Sequence, residues 1–233
     1  MDFRISDTFT DSLARLANDE QKAVKTTAFD LQLNPANPGM SFHKLDKARD
    51  KNFWSVRVSA DLRLIVHRTA ASLLLCYVDH HEKAYAWAER RKLETHPATG
   101  AAQLVEVRET VRDVFVPHYV QTELPLAPKP GPAKSAIFAA IPDEELLGYG
   151  VPPEWLKDVR AATEDTVLAL AEHLPAEAAE ALLELATGGK PRVPEPAAKE
   201  TEPFDHPDAL RRFRVMANVE ELQRALEFPW EKQ

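Results

Sequence analysis

Three runs typical of β-strands follow one another so closely that few arrangements can join them. Residues 53–58 alternate apolar and polar side chains, 62–66 are mostly apolar and β-branched, and 72–78 are almost continuously apolar. The separators at 59–61 and 69–71 have room for hairpins, whereas a crossover helix needs about a dozen residues or more. The sequence therefore predicts an antiparallel meander, one face of which must be covered by helices.

The segment before the meander supplies such a cover. After a short strand at 3–6, a first helix carries apolar side chains at the spacing of one helical face, at Phe9, Leu13, Leu16 and Ala17. A second helix, capped by Asp19, is predicted to end at Asn34 and Pro35. A further helix at 82–93 closes the domain near residue 96. The predicted fold class is α+β, with a helical hairpin on an antiparallel sheet.

The texture of the chain changes beyond residue 96. A stiff, extended linker is predicted by Pro125, Pro128, Pro130 and Pro132. The stretch 103–116 fits neither the helical nor the strand period, so a short helix and a strand both stay open. The predicted organisation is a compact α/β domain at 1–96 that folds alone, a Pro-rich linker at 97–142, a small all-α domain at 143–189, a second linker at 190–204 and a C-terminal helical segment at 205–233.

The net charge of −8 conceals two differently charged parts. Residues 1–96 hold fifteen Lys and Arg against thirteen Asp and Glu, whereas the remainder holds fourteen against twenty-four. Phosphate attracts cations and is repelled by an acidic body. Contact with nucleic acid is therefore expected in the first domain.

The cations of that domain are concentrated around the predicted strands. Three of them lie on adjacent strands, at Arg57, Arg63 and Arg68. The loop before these strands adds Lys44, Lys47, Arg49 and Lys51. We interpret the set as a phosphate-binding surface, although the solvent face of any half-exposed sheet favours Lys and Arg. Trp54 beside it is either a base-stacking side chain or part of the core.

Two adjacent histidines, His80 and His81, end the most apolar strand and precede a helix. Because imidazole titrates near neutrality, one is a candidate general acid; the alternative is a pair of surface or helix-cap histidines. A metal site is not expected, because neighbours in a strand point to opposite faces and no third ligand is evident. The single Cys76 lies in an apolar run, and residues 188–190 lack the rest of a phosphate-binding loop motif. We expect neither a metal nor another cofactor.

The order strand, two helices and meander resembles the RelE/ParE toxin superfamily, over residues 3–90. The residues that most resemble its YoeB-type ribonucleases are Phe53-Trp54-Ser55-Val56-Arg57-Val58, Leu62-Arg63-Leu64-Ile65-Val66 and Ser72-Leu73-Leu74-Leu75. The resemblance implies that Arg63 and His81 assist attack of a ribose 2′ hydroxyl on phosphate. It also implies a carboxylate base near His43 and an aromatic residue at position 82, for which Tyr85 is the nearest substitute.

Two later segments resemble the region ahead of the motor in bacterial UvrD/Rep-like DNA helicases. These segments are 143–156, which reads Asp-Glu-Glu-Leu-Leu-Gly-Tyr-Gly-Val-Pro-Pro-Glu-Trp-Leu, and 228–231, which reads Phe-Pro-Trp-Glu. In those helicases, a RelE-like domain and a helical region precede the first ATP-binding motif. This chain contains no Gly-x-x-x-x-Gly-Lys-Ser/Thr, so it is not expected to hydrolyse ATP.

Two classes of function follow from these features. Because His43 stands where the resemblance implies a carboxylate, the first is a non-catalytic RelE-like module that binds nucleic acid or a protein partner for a UvrD/Rep-like DNA helicase. The alternative is an mRNA endoribonuclease of the RelE/YoeB toxin type, acting on the ribosome or on free RNA, with an antitoxin as a further partner. No signal peptide opens the chain and no apolar run is long enough to span a membrane, so a cytoplasmic bacterial protein is expected.

Overall fold

The fold is that of a computed structural model, which describes residues 1–35, 41–111, 135–192 and 202–227. The chain forms two compact units. The first unit combines Met1–Leu93 with Glu202–Gln233, and the second is Glu94–Thr201. The four prolines of the expected linker and the segment 228–231 lie outside the described residues.

The predicted meander forms the centre of the first unit's sheet. β3 (Phe53–Arg57), β4 (Leu62–Arg68) and β5 (Ser72–His80) pair antiparallel in that order, as predicted. β1 (Asp2–Ser6) lies parallel to β5, and a short strand β2 (Phe42–Lys44) pairs antiparallel with β3. β2 was not predicted, because three residues are too few to show a period. The α+β class is confirmed, with a mostly antiparallel sheet.

Helices cover the two faces of this sheet. α1 (Asp7–Ala14) and α2 (Asn18–Leu33) pack on one face, named here the α2 face. α3 (His81–Glu89) packs on the other, named the α3 face, where its Trp87 contacts Phe53. The core of the α2 face includes Phe9, Leu13, Val24, Leu31, Val56, Leu64 and Val66. Burial stabilises roughly 1.5–3 kcal/mol per large apolar side chain, so this face contributes much of the free energy of folding.

Local hydrogen bonds determine where the first two helices begin. The Ser6 hydroxyl accepts a hydrogen bond from the Phe9 N–H at 3.1 Å and caps α1. At the start of α2, the Glu20 carboxylate accepts from the Ala17 N–H at 3.1 Å. Ala17 occupies the N-cap position, so the predicted Asp19 cap is wrong: Asp19 lies within the first turn.

The second unit is not all-helical. It contains a two-stranded sheet formed by β6 (Arg91–Thr95) and β7 (Ala102–Glu106). The boundary between the two units falls within β6, after Leu93. β7 and a 3₁₀ turn at Arg108–Thr110 account for the described part of the open stretch 103–116. The helices are α4 (Asp143–Gly148), α5 (Leu156–Ala161), α6 (Val167–Ala171) and α7 (Ala176–Ala186).

One tryptophan joins these helices to the two-stranded sheet. Trp155 is fully buried, and its indole N–H donates to the Glu106 carbonyl at 2.8 Å. The small domain expected at 143–189 therefore extends back to residue 94, because its core needs the apolar side of β7. No described helix is both long enough and apolar enough to cross a membrane.

The C-terminal residues complete the first unit instead of forming a segment of their own. α8 (Pro207–Arg212) leads into β8 (Phe213–Val215), which pairs antiparallel with β1. α9 (Val219–Glu227) then packs against α2. The first unit therefore ends at Leu93 and resumes at Glu202, whereas the expected boundaries were 96 and 205. A bare β1 edge would have left strand groups unpaired, which β8 prevents.

Apolar contacts and a backbone hydrogen bond hold this C-terminal segment. The Met216 N–H donates to the Phe3 carbonyl at 2.9 Å and extends the ladder of β1. Leu222 and Leu226 of α9 are buried in the core of the α2 face. A fragment of residues 1–96 would therefore lack Leu222 and Leu226, which belong to the core of the α2 face.

An ion pair also links this C-terminal segment to α1. A carboxylate oxygen of Asp7 lies 3.6 Å from a guanidinium nitrogen of Arg212. Burial raises the pKa of Asp7 to about 6, and the nearby Arg212 offsets this effect only in part. Burial therefore offsets part of what this ion pair contributes to the attachment.

Leu222→Ala is expected to lower the free energy of unfolding of the first unit by about 2–5 kcal/mol, because it leaves a cavity in a closed core. Urea denaturation of the full chain, followed by circular dichroism, measures this change. Leu210→Ala in α8 is the matched control: the Leu210 side chain is 54% exposed and its loss should change stability by about 0.5 kcal/mol or less. Equal effects of the two substitutions would mean that α9 is not part of the core.

Candidate nucleic-acid interface

Alternation along the strands divides the predicted cations between the two faces of the sheet. Arg57 and Arg63 are direct cross-strand partners and lie on the α3 face. Lys44 is the cross-strand partner of Trp54 and lies on the α2 face, as does Arg68 at the end of β4. The sequence placed these cations on neighbouring elements, but the face of each depends on strand register.

Three of the predicted site residues meet on the α3 face around a buried serine. The Ser55 and Tyr85 hydroxyl oxygens lie 2.9 Å apart, and the Tyr85 ring centroid is 4.2 Å from that of His81. His43 is the cross-strand partner of Ser55. Ser55 was not predicted as a site residue. The signal that could have identified it is a hydroxyl side chain in the middle of a strand whose neighbouring side chains are mostly apolar.

The two adjacent histidines have different surroundings, because His80 ends β5 and His81 begins α3. His81 lies against Tyr85 on the α3 face. His80 Nδ1 is 2.7 Å from the Asp61 carboxylate, and its Nε2 is 3.8 Å from the Glu20 carboxylate. His80 therefore connects the β3–β4 turn to α2. It is separate from the group of Ser55, His43, Tyr85 and His81, which is named here the serine cluster. Within the four described ranges, no group of three or more His, Cys, Asp or Glu side chains is placed to hold a metal ion.

The two arginines of the α3 face are held by backbone carbonyls. Arg57 Nε donates to the Ser59 carbonyl at 3.1 Å, and Arg63 Nη1 donates to the Ser59 and Ala60 carbonyls at 3.1 and 3.3 Å. Among the described residues, neither guanidinium pairs with a carboxylate. Asp79 is the cross-strand partner of Arg63, but its carboxylate accepts hydrogen bonds from elsewhere. Within the described residues, the close contacts of both guanidinium groups are therefore with carbonyl oxygens and not with a carboxylate.

One buried carboxylate holds the loop between β2 and β3. Asp50 Oδ2 is 3.2 Å from His67 Nε2 and accepts from the Leu93 N–H at 3.1 Å, while Oδ1 accepts from the Asn52 N–H at 2.9 Å. Burial by itself would raise the pKa of Asp50, but these hydrogen bonds outweigh it and hold the pKa below its usual value. The loop is thus fixed to β4 and to the start of β6.

The cations of this loop differ in what they contact. Lys51 turns back on the loop, and its ammonium donates to the Asp46 carbonyl at 2.7 Å and to the Ala48 carbonyl at 3.0 Å. Lys47 and Arg49 are exposed. Lys51 therefore has a structural role in this loop.

The residues that resemble a helicase segment build the core of the second unit. Leu146, Val151 and Trp155 are fully buried. Gly150 adopts a φ of +84°, and Gln103 Nε2 donates to its carbonyl at 3.0 Å; a Cβ at this position would lie 3.1 Å from the same nitrogen. This segment therefore has a packing explanation, which is independent of nucleic acid.

The chain was compared with protein-family models, with curated proteins and with solved structures, and none of them matched. The resemblance to RelE/ParE domains drawn from the sequence therefore stays a prediction.

Asp50→Asn is expected to lower the free energy of unfolding at pH 7 by about 1–3 kcal/mol, because His67 and two backbone N–H groups lose a charged acceptor. The pKa of Asp50 is lower in the folded than in the unfolded chain. Its contribution is therefore complete above about pH 4 and is lost as the pH falls through the folded pKa. Urea denaturation should show the variant approaching the wild type below about pH 4.

Asp46→Asn is the control, because it removes an exposed carboxyl from the same loop. It should leave the free energy of unfolding nearly unchanged both at pH 7 and below about pH 4. A stability difference between Asp50→Asn and wild type that stayed constant down to about pH 2 would contradict the assigned role.

Proposed function

We propose that the first unit is a RelE-like, non-catalytic module that binds nucleic acid through the α3 face of its sheet. The order of β1, two helices and an antiparallel meander supports the RelE-like part of the proposal. The observation that carries the binding part is the Arg57–Arg63 pair, which is accessible to solvent and makes no ion pair with a carboxylate of the described residues.

Phosphate is the ligand that fits this pair. Only some N–H donors of the two guanidinium groups are used by the turn carbonyls, so others are available to an anion. Like charges directly opposite in a sheet repel, and a bound phosphodiester would relieve that repulsion while accepting charge-assisted hydrogen bonds. The net charge of −8 opposes binding only at short range, because charges beyond about 8 Å are screened at physiological ionic strength.

The serine cluster favours binding over catalysis. Removal of a proton from a ribose hydroxyl needs a positioned base, and the position implied for a carboxylate is occupied by His43. In the described part of the chain, Ser55 and Tyr85 share one hydrogen bond and neither is bonded to a carboxylate. The cluster can position a ligand without providing the implied acid–base pair.

We propose that the partner of this module is a UvrD/Rep-like DNA helicase motor. The support is the resemblance of segments 143–156 and 228–231 to helicase sequences ahead of the motor. The first of these segments lies in the second unit, and the other follows α9 directly in the sequence.

Replacing Arg57 and Arg63 together by Gln should weaken binding of a fluorescein-labelled single-stranded oligonucleotide by on the order of tenfold. The slope of log affinity against log salt concentration should fall by about 1.4, since each lost phosphate contact contributes about 0.7. Fluorescence anisotropy across a salt series measures both changes. The double variant Lys22→Gln/Lys25→Gln on α2 removes the same charge and should keep the slope; an equal loss in both variants would indicate a non-specific charge effect.

A second candidate function is an mRNA endoribonuclease of the RelE/YoeB type. The observation in its favour is that Tyr85 contacts both Ser55 and His81, and that His43 is the cross-strand partner of Ser55 on the face that carries Arg63. In such a reaction His43 would take the proton of the ribose 2′ hydroxyl. Its oxygen would attack phosphorus, and His81 would protonate the leaving 5′ oxygen while Arg63 stabilised the phosphorane charge.

Induced expression of the full chain in bacteria is expected to leave growth and messenger RNA intact, because the implied carboxylate base is missing. Growth curves and primer extension on abundant transcripts provide the measurement. Growth arrest relieved by Arg63→Ala or His81→Ala, in variants that still fold, would instead favour the ribonuclease. Cleavage should then show a bell-shaped pH profile, with His43→Ala costing on the order of a hundredfold in rate.

A further inference from the structure

A second cationic site lies on the α2 face, around the end of β4. The guanidinium carbon of Arg68 is 4.5 Å from the ring centroid of Phe42 and 5.8 Å from that of Trp54. The ammonium of Lys44 is 5.9 Å from the same Trp54 ring. Two cations and two aromatic rings therefore form one group at the β2 side of the sheet.

The cations of this group are available to an anion. Within the described ranges, neither Arg68 nor Lys44 makes a side-chain hydrogen bond or an ion pair. Lys44 is exposed and Arg68 is half-buried. A guanidinium stacked on a ring keeps its in-plane N–H donors free, and stacking restricts its rotation. Such a planar, oriented fork matches two oxygens of a phosphate.

We propose that Arg68, with Phe42, Trp54 and Lys44, forms a clamp that binds a phosphodiester of single-stranded nucleic acid. The clamp deepens, and rests on, the nucleic-acid-binding function proposed for the α3 face. β2 connects the two surfaces, because His43 lies on the α3 face while its two neighbours lie on the α2 face.

The positions of the two surfaces indicate that the nucleic acid bound by both is single-stranded. Arg57 and Arg63 lie on one side of a single-layered sheet, and the Arg68 clamp lies on the other. A ligand that contacts both must turn around β2, the outermost strand of the sheet. Duplex DNA, with a persistence length of about 50 nm, resists such a turn, whereas a flexible single strand follows cationic grooves and stacks on aromatic rings.

The test is fluorescence anisotropy of the full chain with labelled oligothymidylate and oligouridylate of about 12 nucleotides, and with a duplex of equal length. Wild type should bind the single strands at least about tenfold more tightly than the duplex. Arg68→Gln should lower single-strand affinity by on the order of tenfold, and Arg68→Lys, which keeps the charge without the planar fork, should recover only part of it. Lys22→Gln on α2 is the charge-matched control.

The outcomes separate failure of the clamp from failure of the proposed function. Binding of no probe by wild type would overturn both. Binding that is weakened by the Arg57/Arg63 double variant but unchanged by Arg68→Gln and Lys44→Gln would overturn the clamp alone. Equal affinity for duplex and single strand would overturn the single-strand assignment.

Folding of each variant is checked by circular dichroism, and exposed Lys44→Gln provides the test should Arg68→Gln fail to fold. A fall in its single-strand affinity would support the clamp, and an unchanged affinity would overturn it. Comparison of the uridylate and thymidylate probes shows whether RNA or DNA is the preferred source of the phosphodiester.

Discussion

The pairing register of β3 with β4 decides which side chains of this protein share a surface. Because side chains alternate along a strand, a shift by one residue would move Ser55 and Arg57 to the α2 face. Both faces of β3 oppose such a shift, since Val56 is buried in the core of the α2 face and Phe53 packs against Trp87. Apolar packing on two sides therefore fixes the positions of the polar residues between them.

The arginine pair illustrates a local conflict that the fold accommodates. Two like charges in directly opposed positions cost stability in an isolated sheet. Here the carbonyls of the β3–β4 turn accept hydrogen bonds from both guanidinium groups and offset part of that cost. The remaining cost is small beside the apolar burial of the same strands. Conflicts of this kind are typical of positions kept for binding, which is why Arg57 and Arg63 carry the functional proposal.

The first unit is discontinuous in sequence, and this changes where its stability comes from. Its chain leaves at Leu93 and returns at Glu202, so the second unit is inserted between two parts of one fold. β1 consequently has neighbours on both sides, β5 and β8. Leu222 and Leu226 are buried in the core of the α2 face and attach the returning segment by apolar contacts.

The sequence predicted what depends on local periodicity. The α+β class, the meander and the helical hairpin follow from patterns within about 20 residues. The resemblance to RelE/ParE toxins, and not the periodicity, pointed to His43 and Tyr85. Sequence alone missed the role of Ser55, because its significance depends on the tyrosine that covers it.

Only the tertiary structure decided the remaining features. The division of the cations between two faces required the strand register, and the short β2 required a partner strand to be recognised. The return of residues 202–227 to β1 is a contact across some two hundred residues. A local sequence pattern does not predict such a pairing. Every residue can form the backbone hydrogen bonds of a strand, so the packing of the apolar core determines which strands pair.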